Sequence, residues 1–422
     1  MLRIVHSAPG KTNPYLEIFR NRRIAVVLLF GFSSGLPLAL TGSTLQAWLT
    51  VSNIDIQTIA WFSWIGAPYL FKFLWSPLMD RFVPPWLGRR RGWMLATQLG
   101  LSLGIIAMGL TSPEGSLLLL GLFALYVAFA SASQDIVVDA YRTDLLRPSE
   151  RGMGAAVNVL GYRIAILVSG GLALVLADQI GWRATYFLMA LVMGIGILTS
   201  LFAPEPQTPP AAPHTLQAAV VEPLKDFFSR QSALLLLLLI ILYKFGDALA
   251  ATLTTAFLIR GAGFSPTDVG VINKGLGLAA LLTGALIGGM LLTRMSLYRA
   301  LMWFGWLQAI SNLSFMFLAW AGKSYPWLVF AVGFENLASG MGTAAFVAFA
   351  MSLCNHSFSA TQYALLSALA SLGRVLFGPI TGEAVVLVGW ANFFFVTFLA
   401  ALPGLWLLWL LRKQIPAIEK SG

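Results

Sequence analysis

Residues 116–141 read SLLLLGLFALYVAFASASQDIVVDAY, a stretch apolar and long enough to cross a bilayer that nevertheless carries two carboxylates, Asp135 and Asp139. A spanning helix needs roughly 20 apolar residues. The two acids are therefore the anomaly, and other apolar stretches repeat it. Lys72, Arg163, Lys244, Lys274 and Arg374 supply bases, and Asp247, Glu335 and, nearer a helix end, Glu383 supply acids. At about 2.5–3.5 kcal/mol per charge at a bilayer centre, ten such groups facing lipid would cost on the order of 25–35 kcal/mol. That exceeds the net stability of an ordinary domain. The charges must face one another or a wet path through the membrane, and such a path implies transport.

Composition agrees. Of 422 residues, 58% are hydrophobic and 10% charged, and the mean hydropathy is +0.79, outside the range of soluble globular chains. The single Cys354 excludes an intramolecular disulfide, and with only His356 beside it no metal site is expected. No cofactor is expected either.

Spanning segments are predicted at Ile24–Ser43, Thr58–Met79, Gly92–Leu110, Ser116–Tyr141, Gly152–Ala177 and Ala184–Phe202. They resume at Ser232–Ile259, Asp268–Leu292, Arg299–Ala321, Trp327–Leu353, Phe358–Val388 and Trp390–Leu411. The fold class is thus an all-α membrane protein with about twelve transmembrane helices. The first segment is too long for the apolar core of a cleavable signal and is followed by eleven more. With the N-terminus cytoplasmic, the inside segments hold nineteen Lys and Arg and the outside loops only Arg183, Arg260 and Lys323, so both termini are expected in the cytoplasm. The formal charge of +10 then reflects topology and attraction to anionic headgroups of the lipid bilayer, not nucleic-acid binding.

A Pro/Ala-rich break, APEPQTPPAAP, leads into an amphipathic stretch at 216–228 expected on the inner membrane surface. It divides the chain into residues 1–203, a six-helix bundle with an amphipathic N-terminal segment, a cytoplasmic linker at 204–231, and a second six-helix bundle at 232–422. The halves echo each other. At an offset of 213, Asp55 falls on Asp268 and Asp80-Arg81 on Thr293-Arg294, and at 211 Arg163 falls on Arg374. Two pseudo-symmetric bundles would leave the substrate path between them.

Ser76-x-x-x-Asp80-Arg81, followed by Gly88-Arg89-Arg90-Arg91, resembles the loop motif between the second and third helices of the major facilitator superfamily. Glu150-Arg151-Gly152 and Pro204-Glu205 match that superfamily's habits too, whereas the insertion Phe82–Leu87, with Pro84-Pro85, departs from them. More narrowly, FKFLWSPLMDR (71–81), SASQDIVVDA (131–140), LYKFGDALAATLTTAFLIRGAGF (242–264), FENLASGMGTAAFVA (334–348) and FSATQYALLSAL (358–369) resemble the AmpG-type anhydromuropeptide permeases. The similarity runs from about Tyr15 to Arg412. It implies import of GlcNAc-1,6-anhydro-MurNAc peptides across the bacterial inner membrane, driven by protons, for cell-wall recycling with a link to β-lactamase induction. A monomer is the expected form. It further implies gating roles for Asp80, Arg81, Arg89, Arg90, Arg142, Glu150 and Arg151.

In that superfamily helices one, four, seven and ten line the path, which selects Asp135 and Asp139, Lys244 and Asp247, and Glu335 with Asn336. Asp135 and Asp139 share a helix face, where ionising both is unfavourable, so proton coupling is expected among Asp135, Asp139, Asp247 and Glu335. The bland readings are a structural ion pair for Lys244 and Asp247, a cytoplasmic-end network of Asp139 with Asp80 and Arg142, a pair of Asp135 with Lys72, and close packing around Glu335. By the same fold analogy helix two meets eleven and five meets eight, setting Lys72 near Arg374 and Arg163 near Lys274. Like charges so placed need an anion, such as the peptide-stem carboxylates, unless each pairs with an acid in its own half. Trp48, Trp61, Trp64 and Tyr69, with Gln46, Gln134 and Asn273, are candidates for sugar contact, although most membrane aromatics pack or form interfacial belts. Gly35-Leu36-Pro37 and Gly378-Pro379 are expected to break or bend helices one and eleven for rocking between inward and outward states. The alternatives are a carrier of another bulky anion such as an acyl-coenzyme A, or a membrane-embedded enzyme or sensor. Against the last, the outer loops are too short for a domain and no nucleophile, base or metal constellation appears.

Overall fold

A long apolar run in lipid has no water to satisfy its backbone, so it closes its own hydrogen bonds as a helix. The computed structural model describes residues 21–147, 150–204, 232–353 and 359–415, together with 225 and 228. Within them the chain makes twelve crossings, α1 to α12. They are α1 (Arg22–Val51), α2 (56–81), α3 (Arg89–Leu110), α4 (Leu117–Leu145), α5 (151–180) and α6 (Trp182–Phe202). The second set is α7 (Ala233–Gly261), α8 (Pro266–Leu292), α9 (Leu297–Ala321), α10 (Tyr325–Ser352), α11 (359–388) and α12 (390–410). The last two join at Gly389, whose φ of 76° is open to glycine and strained for other residues. The amphipathic stretch expected at 216–228 lies outside the described residues, apart from 225 and 228.

Three expectations need correction. Helix two is not one helix but a series, Ile56–Trp61, Phe62–Gly66, Ala67–Phe71, Lys72–Leu74 and Ser76–Arg81, with the second and fourth pieces wound as 3₁₀ turns. Pro68 has no N–H to give the preceding turn, and that turn tightens. Helix one is not broken at Pro37 but runs on to Gly42 (φ −109°, ψ −109°). Helix eleven continues through Gly378-Pro379. The echo between Asp55 and Asp268 is one of role. Asp55 is the N-cap of α2 and accepts the Thr58 N–H at 2.7 Å, whereas α8 is capped by Ser265 in a reciprocal box with Asp268.

Helices α1 and α5 pack closely, as do α8 and α10. Gly161 of α5 presses on the Leu28 carbonyl of α1, and Gly340 of α10 on the Leu281 carbonyl of α8. A Cβ at either place would lie inside the neighbouring backbone, so Gly161→Leu and Gly340→Leu are each expected to destabilise by about 1–3 kcal/mol or more. Thermal melting in detergent checks this, and unchanged melting in both would show that the helices can part at no cost.

The two sets of helices meet at the end distant from both termini. There 167–180 crosses 266–276, 56–71 lies along α11, and Ser43–Val51 touches α7. Backbone approaches backbone at the first crossing, where Gly171 and Gly270 face each other. Hydrogen bonds fasten this end. Arg260 donates to the Thr50 carbonyl at 2.8 Å, Thr267 to Asp178 at 2.6 Å, Gln57 to Glu383 at 2.8 Å, and Gln46 to the Thr252 carbonyl. Towards the termini, 151–166 and 277–292 share no extended packing among the described residues. Three helices carry wide π-type turns where the sets meet, at Leu167–Leu172, Phe257–Gly261 and Val269–Leu276.

Candidate functional site

Between the two sets lies a cavity of about 380 Å³ with Arg163, Lys274, Arg374 and Glu335 on its wall. Three cations and one carboxylate leave it net positive. Each reaches the wall from a different helix, α5, α8, α11 and α10. The Lys274 stem rests on Gly170 and Gly171, which leave room for it at the α5–α8 crossing. Arg163 and Lys274 thus share the cavity, as expected. Gln46, Asn273 and Asn336 also line it, with Ser63, Tyr69 and several Thr. The Asn336 amide donates to the Val332 carbonyl at 2.9 Å, leaving its side-chain oxygen for other donors.

Helix four was expected on the path, but α4 gives no side chain to this wall among the described residues. The broken α2 packs on α4 and takes its place. Asp135 therefore stands behind the wall, half-buried, within electrostatic reach of Lys72, Asp139 and the Ser34 hydroxyl. Lys72 is off the wall with it, while Arg374 is on the wall. Gln134 is fully buried off the wall and donates to Ser33 and Ser34 at 3.4 and 3.5 Å, while its carbonyl oxygen has no partner. Asp139 is exposed and pairs with Arg142 at 3.2 Å, and Arg142 also donates to Asn158 at 3.0 Å.

Lys244 and Asp247 form an ion pair at 3.9 Å outside the wall. Lys244 also donates to Thr343 at 3.2 Å, and Asp247 accepts from the Gln308 amide. This cluster lies within electrostatic reach of Glu335, so the wall carboxylate is not isolated from it. Of the candidate aromatics only Tyr69 lines the cavity. Trp48 is buried against Trp182 and Tyr186, while Trp61 and Trp64 lie against each other at 6.0 Å with outward surfaces 56% and 48% exposed, which leaves them for lipid.

At the end bearing the termini, Arg90 pairs with Asp144 at 2.9 Å, both nearly buried, and Arg91 donates to the Ser200 carbonyl at 2.9 Å. Glu150 accepts the Arg147 N–H at 3.0 Å and the Asn21 amide at 3.1 Å, with Arg23 at 3.6 Å. The Arg147 N–H, with Asn21 and Arg23, holds its carboxyl below the usual range despite partial burial. Arg81 is exposed and Arg89 half-buried at the start of α3, while the side chains of Asp80 and Arg151 lie outside the described residues.

Sequence reasoning missed Asp144, Gln98, Gln308 and Asn312. The signal was there: Gln98 is the lone amide of apolar span three, and Gln308, 210 residues later, shares span nine with Asn312. Gln98 accepts from Ser200 at 2.6 Å and reaches Ser33, and Gln308 holds Asp247.

The sequence model of the Major Facilitator Superfamily matches residues 24–377. The chain is 55% identical, over 96% of its length and 82% of the relative's, to the anhydromuropeptide permease of Escherichia coli strain K12. It is 38% identical to an uncharacterised protein of Haemophilus influenzae, over 92% of this chain and 94% of that one. Among solved structures, a mutant of the nucleoside transporter NupG superposes with a TM-score of 0.73 at 14% identity, over 93% of this chain and all of that one, a likeness of fold alone.

Proposed function

Because the chain belongs to the Major Facilitator Superfamily and, within it, to the anhydromuropeptide permeases, we propose that it imports anhydromuropeptides, GlcNAc-1,6-anhydro-MurNAc peptides, for cell-wall recycling. Import runs from periplasm to cytoplasm across the bacterial inner membrane, as a proton symport by alternating access. The observation that carries this reading is the cavity between the helix sets, whose Arg163, Lys274 and Arg374 outnumber Glu335. A carboxylate-bearing cargo neutralises that excess, and the amides of Gln46, Asn273 and Asn336 suit sugar hydroxyls. The working units are the bundles at 1–203 and 232–422 with the linker 204–231 between them, in a monomer with both termini cytoplasmic. With the distant end fastened and the termini end unpacked, the structure then corresponds to the inward-open state.

The test is uptake of labelled anhydromuropeptide into proteoliposomes holding the purified protein, under an imposed proton gradient. Accumulation above empty vesicles, abolished by a protonophore, is expected. Uptake no greater than that of empty vesicles would sink the reading, and accumulation insensitive to the protonophore would remove proton coupling from it.

A further inference from the structure

Span α2 is broken where it faces the cavity, and the break has a geometric effect. In a 3₁₀ turn residues i and i+3 eclipse each other. Ser63 and Gly66 therefore fall in line, and Tyr69 and Lys72, spaced three apart through the α-wound piece Ala67–Phe71, continue a row that drifts around α2. The first three members line the cavity. Ser63 and Gly66 rest on Gly378 and Val375 of α11, the helix that carries Arg374. The last member, Lys72, lies off the wall beside Asp135.

Tyr69 is where the row passes from one side of the wall to the other. It lines the cavity, and its buried hydroxyl has the Ser131 and Thr41 hydroxyls alongside but closes no well-formed hydrogen bond with either. That hydroxyl is within electrostatic reach of Asp135 behind the wall and of Arg374 on it. The Ser63 hydroxyl, on the same wall, is buried and without a partner. Buried donors left unmade are costly, so two on one wall beside a guanidinium point to an acceptor that the cargo brings.

We propose that Tyr69 is a positioning residue that couples cargo to Asp135, its one hydroxyl proton being shared between two competing acceptors, the Asp135 carboxylate and a cargo carboxylate held by Arg374. An ionised Asp135 draws the hydroxyl away from the cavity. A protonated Asp135 needs no donor, and the hydroxyl turns to the cargo. Proton and cargo then favour the same loaded state, as symport requires. The groups facing Asp135 are Tyr69 and Lys72 on α2, Ser34 on α1, Tyr162 on α5 and Asp139 on its own helix, so Lys72 holds the ionised form in place when the hydroxyl leaves.

The inference rests on anhydromuropeptide being the cargo. Its test is the pH profile of labelled anhydromuropeptide binding to the full chain in nanodiscs, for the wild type, Tyr69→Phe, Asp135→Asn and the double variant. Binding by the wild type is expected to tighten towards acid pH. Tyr69→Phe, which keeps the ring, is expected to bind about tenfold more weakly at acid pH, the scale of one hydrogen bond to a charged group, and to lose most of the pH slope. The double variant is expected to lose no more slope than either single one, because both remove the same link. A wild-type slope in Tyr69→Phe, or weakening by one constant factor at every pH, overturns the link while the cargo assignment stands. No binding by the wild type overturns both.

Discussion

Accumulation of anhydromuropeptide driven by a proton gradient is expected to fall roughly 5- to 150-fold in Asp135→Asn, the span of ordinary coupling free energies, while exchange of labelled for unlabelled cargo continues. Asp135 is half-buried, set behind the wall of the cavity and flanked by Lys72, Asp139 and Ser34. Titratable groups inside membrane segments are expensive and mark proton relays or substrate paths. Asparagine keeps the shape and the hydrogen-bonding capacity but cannot release a proton. The variant should thus behave as though permanently loaded: it binds cargo and carries it down a gradient of its own, yet cannot draw on protons to concentrate it. Proteoliposomes given only a pH gradient measure the first activity, and counterflow measures the second. Wild-type accumulation by the variant would exclude Asp135 as the carrier and turn attention to Glu335, on the wall, or Asp247, paired with Lys244.

Lys274→Gln and Arg374→Gln are each expected to weaken binding of peptide-bearing cargo about 10- to 100-fold, since a hydrogen bond to a charged group contributes about 1.5–3 kcal/mol and each 1.4 kcal/mol is tenfold. The peptide-free disaccharide, which lacks the stem carboxylates, should lose less. Both positions lie on the wall, where Glu335 stands within electrostatic reach of Lys274. Titration calorimetry with both ligands separates the cases. Equal losses for the two ligands would mean that the cations serve the fold and not the peptide stem.

Much of this was legible beforehand because lipid leaves a long apolar run few options. The twelve crossings follow from length and hydropathy, whereas the meeting of helix two with eleven and of five with eight was implied by the resemblance to the superfamily. Rotation was less legible. Asp135 and Asp139 share a face by spacing, yet Asp139 reaches solvent and Arg142 while Asp135 lies beside Lys72, since a helix near the end of a span leaves the packed region within one turn. Lys72 was assigned to the cavity by analogy, but the row of α2 that reaches the wall ends at Tyr69 and leaves Lys72 off it. Residue type alone did not tell Trp64, which faces outward, from Tyr69, which faces inward. That choice depends on the break at Pro68, a local event whose direction is set by what α2 packs against.

The wide turns at Leu167–Leu172, Phe257–Gly261 and Val269–Leu276 each hold a helix at five residues per hydrogen-bonded loop instead of four. Each is in effect one surplus residue stored in a helix. Removing the surplus residue from Val269–Leu276 would let α8 relax to ordinary winding with the turns on either side facing as they do now, so Gly284 would keep its place against α10. In the ordinarily wound parts of the same helices a single-codon deletion would instead turn everything beyond it by about 100°. These three short windows are therefore where the helices can lose a residue and keep their facing, and single-residue deletions there should be better tolerated by the fold than deletions a turn or two to either side.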